Sequence, residues 1–290
     1  MPPMDGFPLP GRGEPVVAVP APGAGPGFWA GAPCAVLDPD GTFVVAYRVR
    51  NGHDGHDQTV IARSADGERL VTVGVLDEER FDAMGMERPA LARTADGRWR
   101  LWVCCATRGS AHWWIDVLEA ATPEELAGAR PRPAFPGDAR TGVKDPIVRR
   151  TRDRWQAWIC CHLLDVSGEE DRMNSAYATS ADGLTWEWHG TVLEGRSGRW
   201  DARGARLTCV LPDGRASYDG RASAAENWFE RTGLARLSGQ PGRFVADEDG
   251  PVADVRYLEV LPLPGGAHRI WYEARLPDES HELRTELIAG

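Results

Sequence analysis

A pattern recurring every 56 to 57 residues constrains this chain more than any other feature it carries. Each copy is a short extended stretch with a proline or its equivalent, then a turn, then a strand dense in aromatic or β-branched residues. The first copy runs over residues 32–37, turns at Asp38-Pro39-Asp40-Gly41 and continues over 42–50. The second begins at Arg88-Pro89-Ala90-Leu91, turns at Ala95-Asp96-Gly97 and continues over 98–105. The third begins at Asp145-Pro146-Ile147-Val148, turns near Asp153 and continues over 154–162. Pro33, Pro89 and Pro146 keep the interval, and so do the pairs Cys104-Cys105 and Cys160-Cys161. Two fainter copies, over 206–221 and 257–275, turn at Pro212-Asp213-Gly214 and Pro264-Gly265-Gly266. Asp-Gly and Gly-Gly between strand-like runs are hairpin signals, because those residues accept the positive φ of tight turns.

Third strands are expected over 59–64, 112–120, 174–180, 232–237 and 282–288. A fourth should follow the turn at residues 180–186, Ser-Ala-Asp-Gly-Leu-Thr-Trp, which has a shorter echo at Ser64-Ala65-Asp66-Gly67. A unit of short strands repeating about every 50 residues is the mark of a propeller blade. The expectation is therefore an all-β chain, with residues 1–290 forming a single five-bladed β-propeller domain. The last copy runs out of chain after three strands. The run Pro15-Val16-Val17-Ala18-Val19 is expected to supply its fourth, so that the N-terminal strand closes the ring and no edge stays exposed. A β-sandwich or two stacked β-domains is the competing architecture, but it has no reason to keep a 56-residue register. The one helical pattern is short, around Thr122-Pro123-Glu124-Glu125-Leu126.

Composition narrows the partners. A formal net charge of −10 argues against nucleic acid, whose binding needs a basic face. No segment approaches the roughly 20 apolar residues of a membrane span, and the N-terminus has no signal-peptide core. The six cysteines lack CxxC spacing and four lie in apolar runs, so buried thiols in a reducing, cytoplasmic setting are expected rather than disulfides or zinc. Lys144 is the only lysine of the chain, beside 32 arginines.

In such a fold the first strands start at one rim and the antiparallel second strands return to it. First strands would bring Ala32, Glu87 with Arg88, Lys144 with Asp145, Arg203 with Arg206, and Arg256 with Tyr257 and Glu259. Second-strand ends would bring Arg48 with Arg50, Thr107, His162, Asp219 with Arg221, and Glu273 with Arg275. Acids and bases alternating round one opening suit a small polyhydroxylated molecule, neutral or anionic, better than a flat protein partner.

The blade pattern, Lys144-Asp145-Pro146 and the turn at 180–186 resemble the five-bladed propeller glycoside hydrolases, relatives of arabinanases, xylosidases, levanases and invertases. The segments Tyr218-Asp219-Gly220-Arg221 and Arg231-Thr232-Gly233-Leu234-Ala235 resemble their fourth-blade strands. The resemblance covers most of the chain as a blade grammar. It implies carboxylates on successive inner strands: one base or nucleophile, one that orients, and a glutamic acid that protonates the leaving oxygen. It implies the orienting aspartate at Asp145, with Lys144 where some members carry arginine. It also implies a first-blade aspartate where Ala32 stands and a glutamic acid where Gly204-Ala205-Arg206 stand.

Three outcomes stay open: migrated carboxylates that still hydrolyse, a funnel that only binds sugar, and a funnel turned to secondary-metabolite chemistry. The expected catalytic set is Asp145 with Glu87 or Asp219. Lys144, Arg88, His162, Arg206, Arg221, Trp29 and Glu259 are the expected contacts to a small saccharide or glycosylated metabolite. Trp114 and Trp228 are further stacking candidates, Glu226 lies in a loop that could fold over the funnel, and Trp99, Trp102, Trp155, Trp158 and Trp271 are expected to pack between blades. His53, Asp54, His56 and Asp57 read as a polar hairpin loop rather than metal ligands. No cofactor, metal or membrane partner is expected.

Overall fold

The computed structural model of the chain describes residues 6–52 and 56–290. After β1 (Val16–Val19) the chain forms successive antiparallel meanders. The first holds β2 (Phe28–Leu37), β3 (Phe43–Asn51), β4 (Asp57–Ser64) and β5 (Val71–Asp77). The second holds β6 (Ala83–Met86) and β7 (Ala90–Arg93), both paired with β8 (Trp99–Thr107), then β9 (Trp113–Ala120) and β10 (Arg132–Phe135). The third holds β11 (Thr141–Arg150), β12 (Trp155–Leu163), β13 (Met173–Ser180) and β14 (Glu187–Glu194). A fourth holds β15 (Gly204–Val210), β16 (Arg215–Arg221), β17 (Arg231–Leu237) and β18 (Phe244–Ala246). The last holds β19 (Arg256–Pro262), β20 (His268–Arg275) and β21 (His281–Ile288), on which β1 pairs antiparallel. That pairing is the one expected of the N-terminal strand. The helical pattern near Thr122 is a 3-10 turn, Pro123–Gly128.

The inner strands pack in succession, β2 on β7, β7 on β11, β11 on β15, β15 on β19 and β19 on β2. The hydrophobic pattern explains why. Successive side chains of a strand point to opposite faces. In β8, Leu101, Val103 and Cys105 pack with Val44, Ile61 and Leu76 of the first meander. Trp102 and Cys104, on the other face, pack with Trp155 and Ile159 of the third. Likewise Ile270 and Tyr272 of β20 face Leu234 and Cys209, while Trp271 faces Val45 and Val60. Each middle strand is therefore buried on both faces, which is why it reads as a continuous apolar run. The tryptophans expected between sheets are buried there.

All six cysteines are free, and five of them are buried. Among the described residues no helix is long and apolar enough to cross a membrane. His53 and Asp54 lie outside the described residues; His56 stands exposed beside Glu78 and Glu79, while Asp57 turns inward to Arg50.

Candidate functional site

The inner strands lose their register at one level. Pairing slips between Gly31 and Cys34 in β2, Lys144 and Ile147 in β11, Leu207 and Cys209 in β15, and Arg256 and Glu259 in β19. In the second meander the strand breaks outright, leaving Glu87, Arg88 and Pro89 between β6 and β7. Such bulges re-aim side chains out of the pleat. Ala32, Asp145 and Tyr257 sit at them with φ of 52°, 51° and 51°. A left-handed backbone costs a non-glycine residue about 1–3 kcal/mol, and here the same cost recurs in three strands at matching positions.

The result is one network of buried charges built round the Tyr257 hydroxyl. That oxygen lies 3.1 Å from Glu87 Oε2 and 3.4 Å from Asp145 Oδ2, and it accepts from Arg206 Nη1 at 2.7 Å. Arg206 also donates to Asp145 Oδ2 at 3.0 Å and to Asp219 Oδ2 at 2.7 Å. Arg48 bridges Glu87 and Glu273, at 2.5 and 2.7 Å. Arg256 joins Glu273 to Glu230, and Arg221 pairs with Glu230 and reaches Asp171. Lys144 Nζ stands 3.8 Å from Glu87 Oε1 and 3.9 Å from Asp145 Oδ2, over the ring of Trp113. These ion contacts are too long to be hydrogen bonds, so among the described residues its N–H donors have no acceptor although the residue is only 6% exposed. A cavity of about 250 Å³ opens beside Arg50 and Trp113.

Charge states follow from this packing. Burial works to raise the Glu87 carboxyl, but Arg48, Lys144, Arg50 and Arg256 together hold it well below the usual carboxylate range. Asp219 goes the other way, because its burial outweighs Arg206. Burial, together with the cations Lys144, Arg221 and Arg206, pushes His162 well below its ordinary value, so its imidazole is neutral near pH 7. Burial, with Asp145 and Glu87 nearby, drives the Tyr257 phenol well above its usual value against the pull of Arg206, and the hydroxyl keeps its proton.

Glu87, Lys144, Asp145, His162, Arg206, Asp219 and Arg221 thus gather at one end of the inner strands. Arg88 and Glu259 do not share that end. Arg88 Nε donates to the Pro33 carbonyl and Nη2 to Glu259 Oε2 at 2.6 Å, and both residues line a cavity at the opposite ends of the strands. The bulge after Arg256 carries Glu259 down the strand, an offset that strict alternation does not anticipate. Trp29 is buried, stacked on His281 at 5.0 Å with Trp228 at 5.6 Å, so its face is spent on protein. Trp228 is the exposed member of that pair, while Trp114 packs against the apolar cluster between the first two meanders. Glu226 accepts from the Ala222 N–H in its own loop and from Arg231 at the start of β17. Glu230, His281, Trp113 and Asp171 belong to the network without standing out in the sequence, since they lie in, or at the end of, the variable connections that lead into the third strands.

No protein-family model matches the chain, and no curated protein matches it. Solved structures do. A glycosyl hydrolase from Bacteroides ovatus is similar over 97% of this chain and 93% of its own, with 16% identity and a TM-score of 0.66. A thermostable family-43 glycoside hydrolase is similar over 89% and 88%, with 13% identity and a TM-score of 0.66. This chain has the fold of the propeller glycoside hydrolases. A β-1,2-mannobiose phosphorylase from Listeria innocua, solved with β-1,2-mannobiose, shares the propeller over 99% of this chain and 94% of its own, at 14% identity and a TM-score of 0.61. At these identities the likeness is one of fold. Within the propeller, Ala32 is fully buried and brings no carboxylate. At the other departure the chain places the Arg206 guanidinium, which neutralises Asp145 and Asp219 together.

Proposed function

We propose that the chain is a single five-bladed propeller, its ring closed by β1 on β21, whose opening binds and hydrolyses a small saccharide or glycosylated metabolite. The succession of inner-strand packings and the β1–β21 pairing support the ring. One observation carries the chemistry: Glu87 and Asp145, from adjacent inner strands, meet at the Tyr257 hydroxyl, so their nearest oxygens are no farther apart than 3.1 Å plus 3.4 Å. That bound admits the spacing of about 5–5.5 Å between the nucleophile and the acid/base carboxyl of a retaining site, and the proton for the leaving oxygen has to come from a second carboxyl such as Asp219 or from water. Glu87, held ionised, is the nucleophile or base. Asp145, fixed by Arg206 and by the Arg88 N–H at 3.1 Å, orients. Lys144 offers its N–H groups to a ligand oxygen, and neutral His162 lies within the same field.

A second reading, binding without cleavage, draws on Asp219. It is the carboxyl of this network with a raised pKa, yet it is fully buried against Arg206. Aryl glycosides and free oligosaccharides, followed by product release and by titration calorimetry, separate the two. Hydrolysis predicts turnover that falls about a hundredfold or more in Glu87→Gln and Asp145→Asn while the ligand still binds. Binding with no turnover by the unaltered protein would establish the second reading. Neither binding nor turnover across the panel would remove both.

A further inference from the structure

The five inner strands enclose a second space at the ends opposite the opening, with a volume of about 370 Å³. Every one of them contributes to its wall, through Cys34, Leu91, Val148, Cys209 and Leu261 among others, and that wall is mainly apolar. Charge enters it unevenly. Arg88, Arg93, Arg149 and Arg150 line the space, against a single carboxylate, Glu259. Arg93 is paired outside it with Asp38 at 3.4 Å, and Arg88 Nη2 is taken by Glu259. Among the described residues Arg149 and Arg150 make no close ion pair, and Glu259 and Asp213 act on Arg149 only from longer range. Arg149 Nη1 donates only to the Val210 carbonyl. Arg88 Nη1 is buried with no acceptor among the described residues.

Arg149 is half-buried and Arg150 stands exposed at the rim of this space, so both guanidinium groups are open to an incoming anion, and the planar fork of each matches a carboxylate in two bonds. Apolar walls next to it take a hydrocarbon chain but offer nothing to a hydroxylated sugar. We propose that this far cavity is a second binding site, for a small organic monocarboxylate with a short hydrocarbon chain. The carboxylate sits on Arg149 and Arg150 and the chain lies against the Cys34–Leu91–Val260 wall. Arg88 joins the two ends, since its backbone N–H holds Asp145 while its side chain faces this space. The inference does not depend on what the opening binds.

Hexanoate, hexanol and inorganic phosphate, each titrated calorimetrically into the whole protein, test it. Hexanoate should bind at least about tenfold more tightly than either of the others. Arg149→Gln and the exposed Arg150→Gln should each weaken hexanoate several-fold, whereas Lys144→Met, at the opening, should leave it within about twofold. Hexanol binding as well as hexanoate would show that charge plays no part, and phosphate doing so would make this an inorganic-anion site. Loss of hexanoate in Lys144→Met would place the anion at the opening. Any of these overturns the proposal, and the three probes decide the matter on the unaltered protein even if a variant fails to fold.

Discussion

A single phenol proton sits between two carboxylates at the centre of the charged network, and the Tyr257 oxygen is also the acceptor for Arg206. Tyr257→Phe deletes one atom, leaves the ring and its packing, and removes the link between Glu87 and Asp145. The expected outcome is a folded protein whose saccharide turnover, or affinity if it only binds, falls about tenfold or more, checked by kinetics alongside near-UV circular dichroism. Glu230 makes a different prediction. Burial opposes its ionisation, but Arg256, Arg206 and Arg221 bring its pKa from 4.5 down to about 2. A carboxyl depressed in the folded state contributes stability that is present above about pH 4.5 and is lost as pH falls towards 2. The shift corresponds to roughly 3 kcal/mol. Urea unfolding of Glu230→Gln should lose that part of the slope between pH 5 and pH 3; an unchanged profile would clear the residue. Glu87 and Asp145 are legible in the sequence because they stand two residues and one residue before a recurring proline. Glu230 is not, because it precedes β17 in a connection whose length and residues vary from one meander to the next, so no spacing marks it.

At the level of the strand, the bulge decides which residues become neighbours. The sequence shows where strands and turns fall, since hairpin glycines and paired aromatics mark them, and the third strands begin within two residues of expectation. It does not show a register slip, because period-2 alternation carries no sign of an extra residue. That is why Glu259, two residues beyond Tyr257 and expected at the opening, lines the far cavity instead. Gly31 shows how tightly the bulge is fitted. A Cβ there would lie 2.2 Å from Glu273 Oε2, the carboxylate that anchors Arg48 and His281. Gly31→Ala must displace Glu273, and a loss of about 2–3 kcal/mol in unfolding free energy is expected from chemical denaturation. A change under about 0.5 kcal/mol would mean that the strand yields instead.

For the molecule as a whole, each interface between meanders is an apolar cluster fed by both, so no sheet can leave without baring two neighbours. The segment before β2 belongs to this scheme. Phe7 is buried in the cluster with Leu258 and Ile270, and the Glu286 carboxylate accepts from the Gly11 and Gly13 N–H groups. Deleting residues 1–20 should expose the β21 edge, lower the melting temperature by several degrees and promote association, visible by calorimetry and size-exclusion chromatography. An unchanged melting temperature and elution volume would contradict the proposed closure. Finally, the whole chain carries one side-chain primary amine, and the fold has put it beside the indole of Trp113 at the opening. An amine-directed label therefore has a single internal address in this molecule, and occupancy of that place can be read as protection of one peptide.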